Sequence, residues 1–302
     1  MCVAYGLAMR AISVYTMLVT LWSIGGQWIF PDKLHTEFTD IINKQCGEIP
    51  YSVRARPVFG RVYENPWLVL LRHPEETLHF CHGTLISNRY VLTTAICGGN
   101  VVTNGNVTAL QQATEIVLGE YDLSTATDCI TTWNCSLQTT RRSIDIVKIH
   151  PNFTTSFYEN DIALLFMNAS VQFDNNIRPI CLPFVSIVDI TDVQQQTIYN
   201  TIWSNDSIPR QIWMRNVPRE ICREQIKNLF ALTEGHICAR IYGKHSVDMN
   251  GSAGSALQVD YHGRIFEYGL LSVGFPNETD AAPYLYIDIA KYINWIHESA
   301  SM

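Results

Sequence analysis

The stretch FCHGTLISNRYVLTTAIC, which runs from Phe80 to Cys97, decides the fold of this chain. It covers most of two short runs of apolar and β-branched residues, 79–86 and 90–94, with the polar residues 87–89 between them. Short runs of this kind, separated by turn residues, are typical of β-strands. The segment therefore predicts two strands with a turn between them.

The same pattern recurs along most of the chain. Further β-prone runs are 67–71, 115–118, 144–149, 162–166, 267–273 and 284–287. Many short strands separated by turns predict an all-β sandwich or barrel. A short helix is predicted at 219–229, and apolar residues at i, i+3, i+4 and i+7 predict an amphipathic closing helix at 289–296. The polar segment Asn100–Asn106 predicts an inserted loop.

The composition limits the classes of function. The 302 residues suffice for one large domain or two small ones, and 47% hydrophobic residues suffice for a core. Because the net charge is −7, the chain lacks the basic surplus that would meet the phosphates of a nucleic acid. We therefore expect no nucleic-acid partner.

The N-terminus has the features of a secretory signal peptide. Arg10 precedes an apolar run from Ala11 to Ile24, and the small residues Gly25 and Gly26 follow it. A transmembrane anchor is the alternative, but the run is short for a bilayer and no stop-transfer charge cluster follows it. We therefore predict a signal peptide at 1–26, an extracellular protein, and no membrane span after signal removal.

Residues 27–57 form a polar, irregular leader that contains Cys46, and the cysteines that follow the signal are even in number. Cys2 leaves with the signal peptide, so eight of the nine cysteines remain in an oxidising compartment. The count does not fix their pairing, and no pair has zinc-site spacing. Seven sequons predict several N-linked glycans, and their asparagines are Asn106, Asn134, Asn152, Asn168, Asn205, Asn250 and Asn277.

Four segments together resemble the trypsin/chymotrypsin-like serine proteases. They are FCHGTLISNRYVLTTAIC (80–97), HPNF…YENDIALLFMNASVQFDNNIRPICLP (150–183), GSAGSALQV (251–259) and GLLSVG…PYLYIDIAKYINWI (269–296). The Cys-rich loop DCITTWNC (Asp128–Cys135) is similar to loops of secreted arthropod members. The resemblance implies two packed six-stranded antiparallel β-barrels with a C-terminal helix over residues 58–302, a cleft between the barrels, and no cofactor.

The resemblance also implies a pairing of the cysteines. The expected bridges are Cys46–Cys181, Cys81–Cys97, Cys129–Cys135 and Cys222–Cys238. Two further bridges common in the family lack both of their cysteines here. No unpaired thiol is therefore expected.

The catalytic positions of the family depart from its pattern at two of three places. The mechanism needs a serine, a histidine that takes its proton, and a buried aspartate that orients the histidine. Ile96 stands where the family has the histidine, Asp161 matches the aspartate, and Ala253 stands where the family has the serine. Isoleucine cannot accept a proton and alanine has no nucleophile.

Neighbouring residues are poor substitutes for the missing groups. Ser252 and Ser255 flank the alanine, but their side chains are expected to point elsewhere. His82 follows Cys81, where the family often has glycine, and we interpret it as a partly exposed strand residue. Ser272 matches a family serine that hydrogen-bonds the aspartate, so Asp161 is expected to be a structural acceptor.

Activation and specificity positions also depart from the family. Ser252 replaces the aspartate that pairs with the new N-terminus after activation, and Arg56 is followed by Pro57, a bond that trypsin-like activators cut poorly. At the pocket positions, Val247 replaces an acidic residue. Tyr284 replaces a glycine and is expected to fill the pocket that Ser272 and Gly274 also line. A glycan at Asn250 would obstruct the mouth of the cleft.

The sequence thus predicts a secreted, glycosylated serine protease homologue without catalysis. Such a protein would act as a cofactor, decoy or scaffold, and its partners would be extracellular proteins: active proteases, their substrates or their inhibitors. Candidate binding loops are 100–106, 128–135 and 185–196. Two alternatives stay open: an endopeptidase with residual or atypical activity, and a ligand-binding module that uses the vacated cleft.

Overall fold

The protein is described by a computed structural model over residues 46–49, 63–72, 81–99, 101–103, 106–108, 115–129, 139–183, 198–203, 207–243, 247, 249, 251–261, 263–274 and 283–301. The predicted signal peptide lies outside these ranges, as does most of the predicted leader. Among the described residues, no helix has both the length and the apolar character that a membrane span requires.

The first half of the described chain forms a closed antiparallel barrel. Its six strands are β1 (Leu68–Arg72), β2 (Cys81–Leu85), β3 (Tyr90–Thr93), β6 (Glu115–Leu118), β7 (Thr140–Ile149) and β8 (Ala163–Met167), in the order β1-β2-β3-β8-β7-β6. β2 and β3 pair directly, with Thr84 opposite Leu92. The two strands predicted from residues 79–94 are therefore confirmed.

The prediction of a loop at Asn100–Asn106 was wrong in part. Val101–Thr103 (β4) and Asn106–Thr108 (β5) form a separate two-stranded sheet in which Val102 lies opposite Val107. The sequence held the signal for this pairing, because β-branched residues flank an Asn-Gly dipeptide at 104–105. That combination is typical of a two-residue hairpin.

The second half forms a second closed antiparallel barrel, which confirms the predicted architecture. Its strands are β9 (Ile198–Ile202), β10 (Arg210–Asn216), β11 (His236–Ile241), β12 (Ala256–Tyr261), β13 (Arg264–Val273) and β14 (Tyr284–Asp288), in the order β10-β11-β14-β13-β12-β9. Side chains alternate along β10, where Ile212 and Met214 are buried and Trp213 and Arg215 are exposed. This alternation follows from the two-residue period of a strand.

The helices depart from the sequence predictions in length and in type. α1 (Ala95–Gly98) is capped by Thr94, whose Oγ1 accepts a hydrogen bond from the N–H of Cys97. α2 covers Arg219–Ile226 and not 219–229. The closing segment starts as a 3-10 helix at Ile289–Tyr292 and becomes α3 at Ile293–Ala300. Ile293 and Ile296 of α3 are buried in a hydrophobic core to which both barrels contribute.

Disulfide bonds connect parts of the chain that are distant in sequence. They join Cys46 to Cys181, Cys81 to Cys97 and Cys222 to Cys238, the pairs that the family resemblance implies. Cys129 is also disulfide-bonded, while Cys135 lies outside the described residues. The bond from Cys46 holds residues 46–49 against the second barrel, where the N–H of Ile265 donates to the carbonyl oxygen of Gly47.

The two barrels are joined by buried polar contacts as well as by apolar packing. Trp67, which is 1% exposed, precedes β1 and donates through Nε1 to Oε1 of Gln258 on β12 at 2.9 Å. Gln258 donates in turn to Oγ1 of Thr201 on β9. A buried polar group is costly unless it has a partner, so these contacts fix how the barrels meet.

Candidate functional site

Asp161 is the centre of a buried site where the barrels meet. The residue lies just before β8, and its side chain is fully buried. Oδ1 accepts a hydrogen bond from the main-chain N–H of Ile96 at 3.1 Å, and Oδ2 accepts from Oγ of Ser272 on β13 at 2.6 Å. The main-chain N–H of Ala95 also lies on the side of this carboxyl and favours its charged form. One carboxyl thus binds the first turn of α1 in one barrel and a strand of the other.

The environment of Asp161 changes its acidity. Burial raises the pKa of the carboxyl to about 7, while the hydrogen bonds from Ser272, Ile96 and Ala95 act in the opposite direction. Desolvation disfavours a charged carboxylate, and donors favour it. The side chain of Ile96 is apolar, so it offers the carboxyl of Asp161 neither a charge nor a proton. This part of the site is a buried network of hydrogen bonds.

The loop that contains Ala253 lies against the same junction. The carbonyl oxygen of Ala253 accepts a hydrogen bond from the N–H of His82 on β2 at 2.9 Å. The same oxygen lies 3.6 Å from the disulfide sulfur of Cys97. The sulfur has no proton in a disulfide, so the second contact is packing. The next residue, Gly254, donates its N–H to the carbonyl oxygen of Leu271, beside Ser272. The structure therefore brings together Ile96, Asp161, Ala253 and Ser272.

Gly254 is the residue that permits this close approach. Its φ is +84°, and a Cβ built there would lie 2.1 Å from the carbonyl oxygen of His82. No side chain fits at that distance, and only glycine adopts this φ readily. The loop can pack on β2 because position 254 has no side chain.

The interpretation of His82 as a partly exposed residue was wrong. Its side chain is fully buried. Nε2 accepts a hydrogen bond from the N–H of Trp203 at 3.2 Å, so the ring proton lies on Nδ1, which is 3.1 Å from the carbonyl oxygen of Gly251. The ring also stacks on Trp203, with centroids 5.7 Å apart. The His82 ring is not exposed to solvent because these three contacts occupy both of its nitrogens and one of its faces.

His82 has a positioning role that its place in the sequence did not predict. The histidine fixes Gly251 from the side chain and Ala253 from the main chain. Thr93 of β3 supports it, since its Oγ1 donates to the carbonyl oxygen of His82 at 2.7 Å. The available signal was a histidine next to Cys81, where the family often has glycine. A side chain at that position has to lie between the barrels.

The two serines beside Ala253 are buried. Ser252 and Ser255 are both 0% exposed, and within the described part of the chain neither Oγ has a hydrogen-bond partner. The main-chain N–H of Ser255 donates to the carbonyl oxygen of Ser252, which makes the loop a tight turn. A hydroxyl without an acceptor nearby is not activated as a nucleophile.

The pocket positions are close-packed. Val247 and Tyr284 both pack against the core of the second barrel. A Cβ built at Gly274 would lie 3.2 Å from Cδ1 and Cε1 of Tyr284. The tyrosine ring therefore occupies the space beside this glycine.

Other sequence-predicted positions are only partly within the described residues. Asn152 and Asn168 are exposed, and Asn106 begins β5. Asn134, Asn205, Asn250 and Asn277 lie outside the described residues, as do the Arg56-Pro57 junction and the loop 185–196.

The fold and the site define a protein of the two-barrel serine-protease class. The chain belongs to the trypsin family, whose model matches residues 60–296. It is 30% identical to Serine protease grass of Drosophila melanogaster over 276 residues, a match that covers 85% of this chain and 70% of that protein.

A second relative and a solved structure are similar to this chain. Inactive CLIP domain-containing serine protease A28 of Anopheles gambiae is 27% identical, over 85% of this chain and 68% of that protein. The crystal structure of the drosophila Grass clip serine protease of Toll pathway superposes with a TM-score of 0.72 at 26% identity, over 88% of this chain and 78% of that chain.

Proposed function

We propose that this protein is a non-catalytic member of the trypsin family that acts by binding extracellular proteins. One observation carries the proposal: Asp161 would orient a catalytic histidine, and the residue whose main-chain N–H it binds at that position is Ile96. Ile96, at the position of the base, thus donates its main-chain N–H to Asp161 but has no imidazole. General base catalysis needs a group that accepts a proton at that place.

No described residue near Ala253 supplies the missing chemistry. The Nε2 atom of His82 is already an acceptor for Trp203, so it is not available to take a proton from a nucleophile. Ser252 and Ser255 are buried, and their Oγ atoms have no partner among the described residues. Nucleophilic catalysis requires a nucleophile and a base within hydrogen-bond reach, and this loop offers neither.

The activation switch gives independent support. In the family, a new N-terminal ammonium is buried against an aspartate just before the nucleophile. The aligned residue here is Ser252, which is uncharged and fully buried. A buried ammonium without an anionic partner would cost several kcal/mol, on the order of the usual desolvation penalty. The loop is instead fixed by His82 through Gly251 and Ala253.

A fluorophosphonate probe tests the loss of catalysis. The probe labels activated serines, so we expect no labelling of the purified full chain under conditions in which trypsin is labelled completely. An Ala253→Ser variant without a base is the matched control, and it should also stay unlabelled. Active-site labelling of the unsubstituted protein would overturn the proposal and favour the endopeptidase alternative.

The alternative that the cleft between the barrels binds a ligand has less support than binding of a protein on the exterior. An open apolar pocket would favour that alternative, but the ring of Tyr284 lies against Gly274, and Val247 packs on the core. The described pocket positions are therefore filled by the chain itself. We place binding on the exterior of the barrels, where loops and strand faces are available to partners.

The names of the relatives suggest the setting in which this binding takes place. One is described as a protease of the Toll pathway and another as an inactive protease. We propose that the chain is secreted and binds active proteases of such a cascade, their substrates or their inhibitors. Cross-linking in native extracellular fluid, followed by mass spectrometry, should recover a protease, a protease substrate or an inhibitor. If none of these classes of protein were recovered, the proposed role in an extracellular protease cascade would be contradicted.

A further inference from the structure

The outward surface of β10 and β11 has an unusual set of side chains. Trp213 is 42% exposed and Tyr242, directly after β11, is 58% exposed. The N–H of Tyr242 donates to the carbonyl oxygen of Trp213 at 2.7 Å, so the two residues are neighbours across the strands. Arg215 and Arg240 form the next pair in the same register. We call these four residues the Trp213 face.

The two arginines of the Trp213 face are placed against electrostatic preference. They lie directly opposite each other, and like charges at such positions are destabilising. Among the described residues, no carboxylate lies within ion-pair distance of either one. The guanidinium of Arg215 lies 4.7 Å from the ring centroid of Tyr242, and Nη2 of Arg240 lies 3.4 Å from Oε1 of Gln225. Neither contact neutralises the charge.

Other arginines of the chain form ion pairs with carboxylates. Arg141 pairs with Glu115 at 2.7 Å, and Arg219 pairs with Glu234 at 2.9 Å. The whole chain has 28 acidic and 21 basic residues, so acidic partners are not scarce. Within the described part of the chain, these two adjacent arginines have no carboxylate partner, so they are placed to bind an anion supplied from outside.

The aromatic residues decide which class of anion fits. Exposed single ion pairs contribute little in physiological salt, so a ligand held by charge alone would need a longer row of cations. Trp213 and Tyr242 add apolar area beside the charges, and Trp213 is braced edge-on by Tyr199, with ring centroids 5.7 Å apart. Trp, Tyr and Arg are the residues enriched at energetic centres of protein interfaces.

We propose that the Trp213 face binds an acidic segment of a partner protein. Carboxylates of the segment would pair with Arg215 and Arg240, and an apolar side chain between them would pack on Trp213 and Tyr242. The inference names a partner chemistry for the proposed binding role and rests on that role. The face belongs to outward strand positions, whereas the triad positions lie where the barrels meet, so each proposal has its own test.

Fluorescence anisotropy with a defined probe tests this surface. The probe is a fluorescein-labelled peptide in which glutamate alternates with phenylalanine, and the same peptide with glutamine in place of glutamate is its control. We expect saturable binding of the acidic peptide to the full chain, weakened by added salt, and no binding of the glutamine peptide. An Arg215→Glu/Arg240→Glu variant and a Trp213→Ala variant should each weaken binding by about tenfold or more, which corresponds to at least about 1.4 kcal/mol.

A matched variant controls for net charge. Arg141→Glu/Arg142→Glu makes the same charge change on the first barrel and should bind the peptide as the unsubstituted chain does. Cooperative melting of all variants near the temperature of the unsubstituted chain shows that they are folded. The proposal is overturned by absence of saturable binding, by equal losses in the matched variant, or by binding of a heparin oligosaccharide at this face without binding of the peptide. Failure of this test leaves the fluorophosphonate result untouched.

Discussion

The imidazole of His82 on β2 accepts a hydrogen bond from the main-chain N–H of Trp203, which directly follows β9, at 3.2 Å. One side chain thus connects the first barrel to the second. The same ring donates to Gly251, in the loop that the family uses for its nucleophile. Hydrogen bonds of an uncharged ring therefore hold this loop. In an active family member, an ion pair between the new N-terminus and an aspartate holds the corresponding loop.

Substitution of His82 by alanine should destabilise the protein strongly. The change leaves the N–H of the buried Trp203 without its partner, removes the hydrogen bond to the carbonyl oxygen of Gly251 and creates a cavity. The expected loss in the free energy of unfolding is about 3 kcal/mol or more, measured by urea denaturation. His82→Gln retains a donor and an acceptor and should recover part of the loss. Equal stability of the alanine variant and the unsubstituted chain would show that the histidine does not join the barrels.

The raised pKa of Asp161 predicts a pH dependence of stability. The unfolded carboxyl titrates near pH 4, while burial raises the pKa in the folded protein to about 7. Below pH 4 both states are protonated. Between about pH 4 and 7 the folded state binds more protons, so the contribution of Asp161 to stability falls as the pH rises, and above pH 7 it is constant.

An Asp161→Asn variant isolates this effect. The amide has nearly the same shape and does not titrate, and reversal of the bond to Ser272 preserves the contact. We expect the stability of the unsubstituted chain, relative to this variant, to decrease by up to about 4 kcal/mol between pH 4 and pH 7. Urea denaturation at several pH values measures the difference. A difference that stays constant with pH would mean that Asp161 keeps an ordinary pKa.

Restoring two triad residues should not restore protease activity. We expect an Ile96→His/Ala253→Ser variant to hydrolyse peptide p-nitroanilides no faster than the unsubstituted chain. Ser252 cannot pair with a new N-terminal ammonium, and Tyr284 lies against Gly274. Adding Ser252→Asp and Tyr284→Gly tests these two reasons directly. Robust turnover by the double variant alone would refute our account of activation and the pocket.

The disulfides should differ in their effect on stability. Cys46–Cys181 spans 135 residues, whereas Cys222–Cys238 spans 16. In the chain-entropy account, removal of these bonds by paired serine substitutions costs about 5 and about 3 kcal/mol respectively. Thermal or urea denaturation of the two double variants compares them. If the 16-residue bond proved the more important, native-state packing around Cys222 would outweigh chain entropy.

Glycans are expected at the two sequons that the structure shows to be exposed. Asn152 and Asn168 both lie in exposed positions, where a transferase can reach the side-chain amide. Glycosidase treatment in heavy-oxygen water, followed by peptide mass mapping, should show labelled aspartate at both sites. Asn175, which is exposed but outside any sequon, serves as the control. Unlabelled asparagine at 152 and 168 in secreted protein would contradict the prediction.

Much of the fold followed from local patterns in the sequence. Strands such as Leu68–Arg72 and Ala163–Met167 were predictable because they are short apolar runs between turns. The pairing of Val101–Thr103 with Asn106–Thr108 was not predicted, although the sequence has an Asn-Gly dipeptide between the two segments. The helix at Arg219–Ile226 ended early because helix termini depend on tertiary contacts as well as on propensity.

The sequence by itself determined which chemical groups stand at the positions that we propose to match the catalytic positions of the family. That Ile96 and Ala253 have neither a proton acceptor nor a nucleophile is a property of the residue types. Only the tertiary structure decided what those groups touch. It buried His82 and gave both ring nitrogens a partner, and it opposed Arg215 to Arg240 on an exposed face. The physical reason is that burial and pairing depend on residues that are distant in the chain and meet only when the barrels close.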